Sequence, residues 1–344
     1  MTDSPQLLEE SKMHHSSRSG RWSARALAAI LLLACLGLVA CGDDDDGGGG
    51  GASGSGESYN VTLIAGVKGD EFYITMNCGA QAEAEKLGVT LDFQGPDQFD
   101  ASLQTPIVNA VTAKKPDAIL IAPTDAKAMY APIKQAADAG IKIVLVDTTL
   151  EQPDLAVSQI ASDNLGGGKA AAKALAEAIG GSGKVFVNNV KPGITTTDQR
   201  AQGFEEEAKN LGLEYVGMEY NQDQPDKAAA ITKGIIAKHP DLKGIFGTNL
   251  FGAEGSAAGL RESGNKNVKI VGFDAGPKQV KDLEEGLLQA LVAQKPADIG
   301  AQGVQQAVAA LKDEPTKPKI GTGSTILTKD NLAENQDAVY KSSC

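Results

Sequence analysis

"KIVLVDTT" runs from Lys142 to Thr149, and "KIVGFDAG" runs from Lys269 to Gly276. Both open Lys-Ile-Val, continue as a short apolar run, and end on an aspartate followed by small residues. A continuous apolar run of this length between turn residues marks a strand buried on both faces, as in parallel sheets. The repetition predicts two sheets built on one plan, each ending a strand on a carboxylate. In open parallel sheets, ligands sit outside the carboxyl ends of the strands. Asp147 and Asp274 are therefore expected to aim at one crevice from two sides. The alternative for each is a helix cap, and Pro277, at the start of the next helix, gives that alternative substance for Asp274.

The rest of the body alternates in the same way. "NVTLIAGV" (60–67), "VTLDFQ" (89–94), "AILIAP" (118–123) and the first Lys-Ile-Val run read as strands. Between them lie helices at 72–88, closed by Gly88, at 101–115, with Pro106 in its first turns, and at 128–140. After "ASDN" (162–165) the cycle restarts. Helices are expected at 169–179, 199–211, 227–239, 253–263, 277–286 and 297–311. Strands are expected at "KVFVNNV" (184–190), "EYVGMEY" (214–220), "GIFGTN" (244–249), the second Lys-Ile-Val run and "LLQALVAQ" (287–294). Strict alternation of apolar strands and helices predicts an α/β protein whose parallel sheets carry helices on both faces. The roughly 290 residues after residue 57 exceed one comfortable core, so two lobes are expected.

The N-terminal segment reads differently. Arg18, Arg21 and Arg25 precede "ALAAILLLACLGLVA" (26–40), about 15 apolar residues ending on a small one, which is the pattern of a secretory signal. The run is short for a membrane-spanning helix, which needs ~20 apolar residues. "LVAC" (38–41) resembles a bacterial lipobox, which implies that residues 1–40 are a lipoprotein signal peptide and that Cys41 is lipidated. Cleavage elsewhere and an uncleaved anchor are the alternatives, and Met13 is a second candidate start. Residues 41–57, with "GDDDDGGGGGASGSG", form a Gly/Asp-rich tether with no apolar residue to build a core. The four consecutive Asp read as a solvated charge run rather than a calcium cage.

Composition excludes several kinds of chemistry. The formal charge is −12, so a nucleic-acid partner is not expected. Once His14, His15 and Cys35 leave with the signal, the chain keeps one histidine, His239, and two cysteines besides Cys41. Those do not build the usual zinc cage, and there is no G-x-S-x-G elbow for a nucleophilic serine. "NLGGGKAA" (164–171) fails as a phosphate loop because Asp163 stands where the first Gly belongs, so the triple glycine is expected to end a loop before a helix near Lys169. No metal, cofactor or enzymatic activity is expected. Cys78 and Cys344 are an even pair in an oxidising compartment. They are expected to form a disulfide that pins a tail beginning near Thr328 to the first lobe; two free thiols are the alternative.

Several stretches resemble one family. They are "DEFYITMNCGAQAEAEKLGV", "AILIAPTDAKAM", "AGIKIVLVDT", "IASDNLGGGKAA", "RAQGFEEEA", "GIFGTN", "VKIVGFDAGP" and "VAQKPADIGAQGV". In this order and spacing they are similar to the type I periplasmic sugar-binding proteins, the ribose- and galactose-type receptors of ABC importers. The resemblance implies two similar lobes joined by a three-segment hinge. Residues 58–162 plus 295–323 would form the N-terminal lobe, and 163–294 plus 324–344 the C-terminal lobe and tail. It also implies a ligand site of Asp70, Phe72, Tyr73, Asp147, Thr148, Arg200, Asn249, Asp274 and Gln294, with Asp223-Gln224 near a further contact.

In that site the aromatics would stack on a sugar ring. Carboxylates would accept hydroxyl hydrogens, and Arg200 would donate to oxygens. The ordinary readings are that Phe72 and Tyr73 are core, Arg200 a surface charge and Asn249 a turn residue. Thr148 stands where ribose-type proteins commonly have Arg, and Leu250 where galactose-type proteins commonly have Asp, so no named sugar follows. The expected protein is a monomeric, lipid-anchored, extracytoplasmic receptor that hands a monosaccharide or polyol to an ABC permease. A nucleoside or furanone receptor, or a lac-repressor-like regulator sharing the lobe fold, are the alternatives; the signal sequence and the lack of a helix-turn-helix oppose the regulator.

Overall fold

The computed structural model describes residues 58–344; the signal segment, Cys41 and the tether to residue 57 lie outside them. The chain begins with β1 (Asn60–Ile64), α1 (Glu71–Leu87), β2 (Thr90–Gln94), α2 (Ala101–Lys114), β3 (Ala118–Ile121), α3 (Tyr130–Asp138), β4 (Lys142–Val146) and β5 (Ser158–Ser162). It crosses to α4 (Asn164–Ala178), β6 (Lys184–Asn189), α5 (Thr195–Asn210), β7 (Glu214–Tyr220), α6 (Pro225–Lys238), β8 (Leu242–Gly247), α7 (Leu250–Ser263), β9 (Lys269–Phe273), α8 (Pro277–Glu284) and β10 (Ala290–Ala293). It returns for α9 (Pro296–Leu311) and β11 (Lys319–Thr322), then crosses again for β12 (Thr325–Leu327).

Two six-stranded sheets result, ordered β2-β1-β3-β4-β5-β11 and β7-β6-β8-β9-β10-β12. Every pairing is parallel except β12 on β10, which is antiparallel. The orders superimpose position for position, and β4 and β9, the Lys-Ile-Val strands, hold the same place in each. The apolar runs are strands because both faces are covered: β3 is wholly buried, and the last four residues of β4 and of β9 are buried. Local chemistry sets the helix ends. Asp70 accepts from the Phe72 N–H at the start of α1 (2.8 Å), and Gly88, at φ 68°, closes it. The fold is the two-lobed α/β architecture with three crossings, at 162–164, 293–296 and 322–325.

Several elements depart from expectation, among them β11 and β12, where no strand is expected. β5 (SQIAS) alternates buried and half-buried residues, and its short polar run carries no strand signal. α4 starts at Asn164, so Gly166, Gly167 and Gly168 lie inside the helix rather than before it. Asp163 caps it, accepting from the Gly166 N–H at 2.9 Å. A glycine costs about 1 kcal/mol relative to Ala in a helix, but here packing decides. A Cβ on Gly168 would fall on the Arg200 carbonyl of α5, and one on Gly203 would fall on the Leu165 carbonyl. A Cβ on Gly167 would meet the Phe273 ring at the end of β9. The glycines let α5 and β9 approach α4 closely, and α5 carries Arg200.

Cys78 of α1 and Cys344 are joined by a disulfide. Among the described residues, no helix is long and apolar enough to cross a membrane, and no group of metal-ligating side chains is assembled.

Candidate functional site

The two Lys-Ile-Val strands end alike. Asp147 and Asp274 have φ of 62° and 78°, in the left-handed region that aspartate tolerates better than most side chains. Asp147 N–H donates to the Ile160 carbonyl of β5 (2.8 Å), and Asp274 N–H to the Val292 carbonyl of β10 (2.9 Å). Asp274 does not cap α8; Gly276 holds that position. Both carboxylates instead line a cavity between the lobes.

The first lobe contributes Asp70, Phe72, Tyr73, Phe99 and Asp147 to the cavity. Tyr73 Oη donates to Asp147 Oδ2 (2.7 Å), and the Phe72 and Tyr73 rings meet edge to face with centroids 5.1 Å apart. Both aromatics are buried, so they are core and wall at once. The second lobe contributes Val190, Ile194, Thr196, Thr197, Arg200, Asp223, Asn249 and Asp274, and Gln294 stands at the hinge. Asn249 caps α7 through Gly252 N–H (3.1 Å) while its Nδ2 donates to Asp223 Oδ1 (2.7 Å). Gln294 Nε2 donates to Asp274 Oδ1 at 2.6 Å. Thr148 does not line this cavity. Its hydroxyl is spent on the Pro123 carbonyl (2.8 Å), and it borders a neighbouring space with Gln159 and Ser162.

Arg200 is fixed from three sides. Nε donates to Asn164 Oδ1 (2.9 Å), one Nη1–H donates to the Thr248 carbonyl (3.0 Å), and the guanidinium lies 3.8 Å from the centroid of the Phe273 ring. Three of its five donors have no protein partner among the described residues. Across the cleft mouth, Lys191 Nζ donates to the Phe99 carbonyl (2.9 Å), and Thr149 N–H to Thr195 Oγ1 (3.3 Å). These contacts hold the two lobes closed over the cavity.

The cavity is lined by four carboxylates and one guanidinium, and Arg200 acts on Asp147 and Asp274. Burial pushes Asp147 up to about 6; Arg200 and the Tyr73 hydrogen bond oppose the rise, and Asp274 adds to it. Burial likewise raises Asp223 to about 6, against Asn249 and Lys191. Asp274 is raised by burial and held back by Arg200, Gln294 and Tyr340. Asp70 stands well above the usual carboxylate range because of burial and the charges of Asp274 and Asp223. The carboxylates from opposite lobes thus feel one another. Fixed acceptors, one multivalent donor and aromatic walls are the complement of a small ligand with several hydroxyls and an apolar face.

The comparisons agree with that chemistry. The family described as periplasmic binding protein domain matches residues 61–315. The chain belongs to this family. The ribose import binding protein of Salmonella typhimurium is 30% identical over 273 residues, covering 78% of this chain and 90% of the relative. A crystal structure of an ABC transporter solute-binding protein from Agrobacterium vitis, bound with α-D-tagatopyranose, is 44% identical with a TM-score of 0.80, covering 83% of this chain and all of that one. A second Agrobacterium vitis solute-binding protein, with bound D-fucose, is 30% identical with a TM-score of 0.78, covering 82% and 100%.

As a periplasmic binding protein of the type I sugar-binding kind, it is an extracytoplasmic solute receptor and not an enzyme. Some residues of its cleft carry little signal in the sequence. Phe99 is a lone aromatic in the loop after β2, and the strand-end rule applied to β2 points to it. Asp223 stands out in the sequence only as the neighbour of a contact. Thr197 Oγ1 is buried without a partner among the described residues and sits on the cavity wall. Nothing local marks it, because α5 begins four residues earlier than its periodicity indicates.

Proposed function

We propose that this protein captures a monosaccharide in the interlobe cavity, with ketohexopyranoses of the tagatose kind foremost, and delivers it to an ABC permease. The carrying observation is the set of four carboxylates that line the cavity together with Arg200. Asp147, Asp223 and Asp274 each have one oxygen tied to a protein side chain, and Asp70 has one tied to a backbone N–H. The remaining lone pairs are oriented to accept hydroxyl hydrogens, and the free Arg200 donors to serve ring or hydroxyl oxygens. Phe72, Tyr73 and Phe99 cover the apolar face. Asn249 and Gln294 act mainly by orienting Asp223 and Asp274. Thr148 fixes the end of β4 rather than touching the ligand. The sugar bound in the 44%-identical neighbour supports the ketohexose choice.

Ligand trapping follows hinge closure: both lobes contact one molecule, so binding favours the closed form. The receptor acts as a monomer held at the outer face of the membrane by acyl chains on Cys41.

A thermal-shift screen followed by calorimetry tests the reading, with D-tagatose, D-fucose, D-ribose, D-arabinose and a set of nucleosides. A sugar present at 100 times its Kd stabilises the fold by about 2.7 kcal/mol. A saturable shift with at least one sugar supports the proposal. A shift with nucleosides alone, or with none of the set, overturns it.

A further inference from the structure

The segment after β12 passes from one lobe to the other. Tyr340 N–H donates to the Ala275 carbonyl of the second lobe (2.9 Å). One residue later, Lys341 N–H donates to Thr75 Oγ1 on α1 of the first lobe (2.7 Å). Cys344 is then bonded to Cys78, about one turn further along the same helix. At the crossing point Tyr340 is 4% exposed. Its hydroxyl donates to Asp274 Oδ1 (3.0 Å) and accepts from the Gln294 N–H (3.0 Å). Its ring lies 6.0 Å from that of Phe72.

These bonds extend a network that runs through the hinge. Ser162 Oγ donates to Gln294 Oε1 (2.7 Å) and lies 3.4 Å from Thr322 Oγ1. Gln294 Nε2 donates to the same Asp274 oxygen that Tyr340 serves. Thr322, Ser162 and Gln294 stand at the three crossings, and Tyr340 comes from the tail. The network therefore ends on a cavity carboxylate and includes every covalent connection between the lobes. A tail pinned for stability alone has no need to present a buried hydroxyl to that carboxylate.

We propose that residues 340–344 are a fourth, covalently locked connection between the lobes, in which Tyr340 is a positioning residue that holds Asp274 for the ligand. The proposal rests on reading the cavity as a sugar site. The disulfide makes the bridge from Asp274 to α1 continuous. Breaking it leaves the tie to α1 to the hydrogen bond between Lys341 N–H and Thr75, so the Tyr340 hydroxyl is held less firmly against Asp274. The fourth tie also limits how far the lobes swing apart.

The test measures D-tagatose affinity by calorimetry for the oxidised wild type, the wild type treated with tris(2-carboxyethyl)phosphine, Cys344→Ser, Tyr340→Phe and the double variant. Each sample is first shown by melting to be folded at the assay temperature. Reduction, Cys344→Ser and Tyr340→Phe should each weaken binding roughly three- to tenfold. Tyr340→Phe should add nothing once Cys344 is Ser, because both act through one position. Equal affinity in oxidised and reduced wild type, or costs of the two substitutions that multiply, overturns the proposal. Should Cys344→Ser fail to fold, the reduced wild type and Tyr340→Phe carry the test. Small-angle scattering without sugar gives a readout independent of ligand identity: reduction should enlarge the radius of gyration. If no sugar binds the oxidised protein, the sugar reading fails, and an unchanged radius on reduction then overturns the strap separately.

Discussion

Asp147 and Asp274 are counterparts: each follows the fourth strand of its sheet, turns into left-handed backbone, and donates its N–H to the neighbouring strand. The symmetry aims two buried charges at one cavity from opposite lobes. Each is served by a hydroxyl from outside its own strand, Tyr73 for Asp147 and Tyr340 for Asp274.

Asp147→Asn and Asp274→Asn should separate binding from folding. Asparagine tolerates the left-handed backbone, whereas alanine would add about 1–2 kcal/mol of strain. Each substitution removes a charged acceptor worth about 1.5–3 kcal/mol to a bound hydroxyl, so Kd should rise tenfold or more. The melting temperature at neutral pH should hold or rise, because a buried charge has gone. Calorimetry and melting of the two variants give both readouts. Wild-type affinity in both would remove the carboxylates from the site.

Stability and affinity should depend on pH in opposite senses. Asp147 and Asp223 are raised from 3.8 to about 6 in the fold, so the folded state holds protons that the unfolded chain has released. Their contribution is fully present below about pH 4 and is lost as pH rises through about 6. Without sugar, the melting temperature should therefore fall across that window. Sugar hydroxyls favour the ionised carboxylates, so affinity should drop as pH falls below about 6, and binding near that pH should release protons. Calorimetric titration in buffers of different ionisation heat measures the release; its absence would contradict the assignment.

Three glycines make a structural test. Gly168→Ala and Gly203→Ala place a Cβ on backbone between α4 and α5. Each should cost about 1–3 kcal/mol by overpacking. Each should also weaken sugar binding, because α5 carries Arg200. Gly234, inside α6, faces open space: a Cβ there would have no neighbour within 4 Å. Gly234→Ala should stabilise by about 0.5–1 kcal/mol through helix propensity alone. Denaturant melts of the three variants decide the matter.

Cys41→Ala should abolish lipid labelling and move the protein from the detergent phase to the aqueous phase. An intact mass of the wild type with an unmodified Cys41 would refute the anchor.

The alternation of strands and helices, the paired sheets and the two aspartates at matched strand ends are all legible in the chain before it folds. Those features rest on local causes: unbroken apolar runs demand cover on both faces, and capping or turn residues close each element whatever lies elsewhere. Residues Asp70, Phe72, Tyr73, Arg200, Asn249 and Gln294 are readable only through a family pattern, and the fold brings all six to one cavity. The remainder is settled by packing between distant segments. Gly167 and Gly168 sit inside α4 because β9 and α5 press against it, and Gly166 because the capping Asp163 carboxylate lies against it, which overrides helix propensity. The Thr148 hydroxyl turns to Pro123 because that carbonyl lies beside the end of β4 and needs a donor. Thr197 reaches the cavity because α5 starts early, and Tyr340 reaches Asp274 because the tail is tied to α1. Each of these outcomes depends on contacts between segments far apart in the chain, and no local periodicity encodes them.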